Sequence, residues 1–205
     1  MSSISLQLKE STRSAHSSAE AHNFQKALGS GTLPKSQYRH YLGQLFLIHG
    51  ALEAAMKGEP YMGGVVTVEQ FQTDFLIRDL SALTGNHADE VPLACTKAML
   101  KRIDERAHSE PVALLGYHYV LLGSKHGGKF IASATKKSYE LDSDGSVYFD
   151  PYGQGFQQHW QHFTGGLNEL NLNELQVHEL LAAASEMFTF VETLGGEILS
   201  YKSDN

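Results

Sequence analysis

The chain has 205 residues, 41% of them hydrophobic and 19% charged. That is long enough to bury a sizeable core and too apolar for a disordered segment. A formal net charge of −7 with no basic stripe argues against nucleic acid, and a lone cysteine, Cys95, excludes an internal disulfide.

No apolar run approaches the roughly 20 residues of a membrane span. The first ten residues carry no basic-then-apolar signal pattern. The expectation is one cytoplasmic domain over residues 1–205, with neither membrane nor nucleic acid as partner. Cys95, set among Leu93, Ala94 and Met99, reads as a small buried apolar side chain.

The periodicity is helical nearly throughout, and β-branched runs such as Val65-Val66-Thr67 are too short to build a sheet. The first helix is expected over residues 5–22. The second spans 34–57, opened by Pro34 and stopped by Gly58 and Pro60. Its Tyr38, Tyr41, Leu42, Leu45, Phe46, His49 and Leu52 follow i, i+3, i+4, i+7 spacing. A third covers 68–83, ended by Gly85-Asn86, a fourth 91–107 and a long fifth 110–136. Residues 142–155, rich in Asp, Ser, Gly and Pro, read as a loop, before two last helices over 157–169 and 173–201. The sum is an all-α bundle of about seven helices.

Two patterns carry chemistry. Lys9, Arg13, His16 and Glu20 are spaced by four, three and four, which puts them in one stripe of a helix. A haem iron takes a neutral imidazole, and haem propionates take cations. The seven residues from Lys9 to His16 span about 10 Å of helix, roughly the reach from porphyrin iron to propionate. Glu20 could hold the second ring nitrogen of His16 and fix its tautomer. A solvated face with an incidental histidine would show the same spacing.

The second pattern is three glycines, Gly123, Gly127 and Gly128, inside the fifth helix. Together they cost on the order of 3 kcal/mol relative to alanine. A flat cofactor lying on the backbone, a kink, or close helix–helix packing would each use the missing side chains. A planar haem between the imidazole-bearing helix and the glycine-lined one accounts for both patterns. His118 and His126 share the glycine helix, and His49 lies on the apolar face of the second helix. Surface or packing roles suit all three.

These residues resemble the haem oxygenase family. Leu8-Lys-Glu-Ser-Thr-Arg-Ser-Ala-His16-Ser-Ser-Ala-Glu20 looks like its proximal helix, and Tyr119-Val-Leu-Leu-Gly-Ser-Lys-His-Gly-Gly is similar to its distal helix, nearest the bacterial branch. Ala51-Leu-Glu and Arg78-Asp79-Leu80 echo further segments, so the likeness covers about residues 4–200. It implies a haem-oxygenase-like fold and cleavage of haem b, both substrate and cofactor, to biliverdin, CO and ferrous iron. The reaction needs O2 and an external reductant, a reductase or ferredoxin. By the resemblance His16 is the iron ligand, Glu20 its partner, and Lys9 and Arg13 the propionate contacts. Gly123, Ser124 and Gly127 form the distal catalytic segment, with Gly128 and Phe188 also at the haem.

Departures are visible. Ser124 stands where the animal-type motif has an aspartate that organises proton delivery, and Leu122 where the bacterial Glu-Gly-Ser has its glutamate. Gln157 and Gln161 replace the Lys and Arg of a later helix that grip the propionates in animal members. Ser124, His118 or His126 could support the proton relay. Rival readings are a haem store or carrier without turnover, a purely structural helical domain, and a non-haem di-iron oxidase. The last would use the i, i+4 pairs His16/Glu20, His49/Glu53 and Glu174/His178.

Overall fold

The structure, a computed structural model, describes residues 3–84, 90–142 and 144–201. Among them are helices α1 (Ile4–Ser11), α2 (Arg13–Ala21), α3 (Asn23–Ser30), α4 (Lys35–Met56) and α5 (Thr73–Thr84). They are followed by α6 (Ala94–Ser109), α7 (Leu114–Gly123), α8 (Gly128–Tyr139), α9 (Phe156–Glu169) and α10 (Glu174–Ser200). The bundle is all-α, as the periodicity requires. Extended pairing among the described residues is limited to a single bridge between Met62 and Val66.

The first expected helix is two. Thr12 is buried and its hydroxyl donates to the Leu8 carbonyl at 2.7 Å, a back-bond that bends a helix. The path continues, since the His16 amide still reaches the Thr12 carbonyl at 2.8 Å. The α3 helix is additional to those expected, and it ends at Gly31, whose φ of +70° suits a residue without Cβ.

The second helix matches expectation. The third shortens to a 3-10 turn, Val68–Gln70, before α5. The break has a cause outside the segment: the Glu53 carboxylate takes the amides of Gln72 and Thr73, at 2.5 and 3.0 Å. The expected stop at Gly85-Asn86 lies outside the described residues. The fourth starts late because Gln44 of α4 holds Val91 and Leu93 extended, through the Val91 carbonyl and the Leu93 amide.

The fifth expected helix is a composite. A 3-10 turn over Pro111–Ala113 leads into α7, and another over Ser124–His126 separates α7 from α8. The loop at 142–155 contains 3-10 turns at Val147–Phe149 and Gly153–Gly155, and Tyr148 and Phe149 are buried.

The last helix, α10, opens with a capping box: Asn173 accepts from the Gln176 amide at 2.9 Å while Gln176 accepts from the Asn173 amide at 3.0 Å. It runs along α7 and also meets α1, α2, α3, α4 and α6, so it is the post of the bundle. Gly116 lets α7 approach, because a Cβ there would overlap the Leu180 carbonyl of α10. The seam is pinned by Arg106 of α6, 1% exposed, which pairs with Glu110, Glu179 and Glu186 at 2.8, 3.1 and 2.9 Å.

Candidate functional site

The α1–α2 rod presents Lys9, Arg13, His16 and Glu20 together on its exposed side. The His16 Nδ1 lies 3.5 Å from a Glu20 carboxylate oxygen, with 58% of the imidazole side chain exposed. The ring stands edge-on to Phe188 of α10, centroids 5.8 Å apart. Four of the expected residues and the expected aromatic are therefore neighbours. Neither Lys9 nor Arg13 has a carboxylate partner among the described residues.

The α7–α8 junction carries the second expected motif. Gly123, Ser124 and Gly127 are only partly covered or exposed there. The three glycines differ. A Cβ on Gly123 would sit 3.4 Å from the Trp160 indole, an ordinary contact. On Gly127 it would meet nothing within 4 Å. On Gly128 it would overlap the Phe149 carbonyl, so packing against the 145–149 loop alone demands that glycine. The junction is tightened locally: Ser124 donates to the Leu121 carbonyl at 2.7 Å, and His126 Nδ1 lies 2.9 Å from the Gly123 carbonyl oxygen.

A groove of about 250 Å³ is lined by Ser5, Leu6 and Lys9 of α1, Tyr119 of α7, and Trp160 and Thr164 of α9; Lys9 is the one residue of the N-terminal stripe that lines it. The α9 glutamines, Gln157 and Gln161, are exposed and do not line it. The remaining histidines differ. His126 packs edge-on to Phe156 and Trp160 at 4.7 and 4.9 Å. His118 is buried with Nε2 3.2 Å from the Gln70 side-chain oxygen, and burial pulls its pKa down to about 3, so it is neutral. Cys95 is half-buried, its thiol pushed up to about 11 chiefly by burial and then by Glu197, which leaves it inert.

Behind the junction lies a polar cluster that the sequence reading missed as a unit. Tyr148 and His49 are buried, with the phenol oxygen 3.1 Å from His49 Nε2. His49 Nδ1 faces Glu53 at 3.6 Å. Burial would raise the Glu53 carboxyl, but His49, then the Thr73 side chain and the Gln72 amide, hold it below its usual value. Asp79 of α5 takes the amides of Gly145, Val147 and Tyr148, each at 2.8 Å, and so fixes the loop that carries Tyr148. The one available sequence signal was His49/Glu53 at i, i+4. Tyr148 sits in a stretch that reads as loop.

The di-iron alternative fails on this geometry. Glu53 is committed to backbone amides, His178 pairs with its neighbour Glu179 at 3.3 Å, and His16/Glu20 is exposed. Among the described residues no three His, Cys, Asp or Glu side chains converge to hold a metal ion. No described helix is long and apolar enough to cross a membrane.

The arrangement of helices has solved counterparts, among them haem oxygenases. A heme oxygenase from Leptospira interrogans superposes with a TM-score of 0.86 at 22% identity, over 96% of this chain and 100% of that one. Heme oxygenase-1 from a cyanobacterium, Synechocystis, solved in complex with heme, gives 0.88 at 21% identity, over 97% and 93%. These likenesses define a haem-oxygenase-like fold. The chain belongs to the haem oxygenase family: the family model described as Heme oxygenase matches residues 2–195. Curated relatives agree, among them Heme oxygenase 2 of Synechocystis, 24% identical over 92% of this chain and 80% of its own length. Heme oxygenase 2 of Mus musculus is 26% identical, over 93% of this chain and 64% of its own.

Proposed function

We propose that the protein opens the porphyrin of haem b with O2 and electrons from an external donor, releasing biliverdin, CO and ferrous iron. The observation that carries this reading is the exposed His16–Glu20 pair on one helical face with Lys9 and Arg13, in a chain whose α7–α8 junction leaves Gly127 open. Haem is the substrate and brings its own iron and ring, and the protein supplies position, charge and protons.

The residue roles follow from where the side chains lie. His16 would offer Nε2 to the iron, because Glu20 is at Nδ1. A neutral imidazole, unlike a thiolate, does not push a bound oxygen species toward O–O cleavage. Lys9 and Arg13 would take the propionates. Lys9 also lines the groove beside α7 and α9, where a propionate would meet its amine and the hydroxyls of Ser5 and Thr164. Gly127, and Gly123 with less room, leave space for a flat ring. Phe188 backs the His16 imidazole. The packing against Phe149 gives Gly128 a structural role. In this reading residues 1–205 act as one cytoplasmic domain served by a reductase or ferredoxin.

The test is titration with hemin, followed by ascorbate or a reductase in air. Loss of the Soret band with a rising biliverdin band is expected. A Soret band that forms and then persists under reductant would contradict turnover and leave a haem carrier.

A further inference from the structure

The 145–149 loop is mostly buried and is held by α4 and α5. Asp79 of α5, 0% exposed, takes the amides of Gly145 and Val147 on Oδ1 and that of Tyr148 on Oδ2, each at 2.8 Å. Gly145 has a φ of +99°, a left-handed conformation that suits a residue without Cβ. From α4, the Tyr38 phenol donates to the Gly145 carbonyl at 2.7 Å, and the Tyr148 phenol oxygen lies 3.1 Å from His49 Nε2.

This loop meets the α7–α8 junction from behind, at two points. Lys125 and Gly128 are buried, while Ser124, His126 and Gly127 beside them are exposed. The Lys125 amine sits 3.1 Å from the centroid of the Tyr148 ring and has no hydrogen-bond partner. A Cβ on Gly128 would overlap the Phe149 carbonyl. Tyr148 is placed directly by an Asp79 oxygen, and Phe149 is the next residue. The depth of the junction therefore follows from where one carboxylate holds the loop. Interiors packed this closely transmit a displacement rather than absorb it.

We propose that Asp79 is a positioning residue for haem: through the 145–149 loop it sets how far the Gly127 backbone stands from a ring lying against the junction. The inference rests on the haem-degrading reading and adds to it a buried residue that acts only through Tyr148 and Phe149. Loss of one acceptor oxygen would leave a buried amide unpaired and let the loop shift. The contacts at Lys125 and Gly128 would carry that shift to the junction. The exposed backbone at Gly127 would move with them, and the room beside the ring would change.

The test compares wild type with Asp79→Asn and Tyr38→Phe. Asparagine keeps the shape of aspartate but offers one oxygen, and its N–H groups face a loop amide. Tyr38→Phe frees the Gly145 carbonyl and leaves Asp79 in place, so it carries the test alone if circular dichroism shows Asp79→Asn unfolded. In the haem-free protein, amide hydrogen exchange over residues 124–131 should rise about tenfold in Asp79→Asn and less in Tyr38→Phe, against unchanged peptides from α2. Hemin should still bind at one equivalent. The C–O stretching frequency of the ferrous CO complex should shift. Biliverdin formation should slow about tenfold or more, since a remote change that misplaces groups by about 1 Å can cost about 10²-fold. An Asp79 that only stabilises the fold would lower the urea midpoint and leave the CO frequency and the rate of the folded variant unchanged. That result, or unchanged exchange over 124–131, would overturn the proposal while the wild type still degrades haem. Wild type that takes up no hemin would overturn the reading itself, and the proposal with it.

Discussion

Gly127 and Gly128 are neighbours with opposite demands. Alanine at Gly128 would drive its Cβ into the Phe149 carbonyl, which cannot move without the loop pinned by Asp79. Overpacking of that kind costs about 1–3 kcal/mol, readable by urea unfolding. Alanine at Gly127, where φ is −95° and no atom lies within 4 Å, should hold or raise stability by up to about 1 kcal/mol. The same Gly127→Ala change should weaken hemin binding, if that open space seats the ring. Lys125→Met removes a buried amine with no partner and should stabilise the fold by about 1–3 kcal/mol in the same assay. The N-terminal stripe was legible residue by residue because helical spacing alone brings Lys9, Arg13, His16 and Glu20 together. The glycines were legible only as a group. Which of them faces a loop and which faces open space depends on Phe149, some twenty residues away.

At the level of helices, apolar periodicity located the main segments, but their ends are set by long-range contacts. Thr12 bends the first rod through a local bond, whereas α5 starts where Glu53 takes the amides and α6 where Gln44 releases the chain. A window of sequence contains none of those partners. The α6–α7–α10 seam is the clearest tertiary device. Burial opposes the charge of Glu186, yet Arg106, Tyr117 and Arg102 hold its carboxyl down at about 2. Arg106→Ala would strip a buried cation from three carboxylates and is expected to cost about 3–5 kcal/mol. Urea unfolding with an unchanged slope checks it. The seam supports α7 and Phe188 alike, so hemin affinity should fall in the same variant.

For the whole molecule, buried neutral histidines set the acid limit of stability. Unfolded histidines gain protons near pH 6.5. Folded His118 does not until about pH 3, and His49 is also lowered by burial. Between those values the unfolded chain binds more protons, so stability falls as pH falls below about 6.5. Glu186 adds to the loss from about pH 4.5 toward 2. Melting temperature should hold from pH 8 to 7 and drop below 6.5, and His118→Gln should flatten the upper part of that decline.

In the proposed function the exposed imidazole of His16 is the ligand to haem iron. The direct measurement is hemin titration of the purified protein and its His16→Ala variant, followed by absorption and resonance Raman spectra. The expected result is saturation at one equivalent with a histidine-ligated spectrum that His16→Ala abolishes. An identical spectrum in the variant, or no Soret change in either protein, would contradict it.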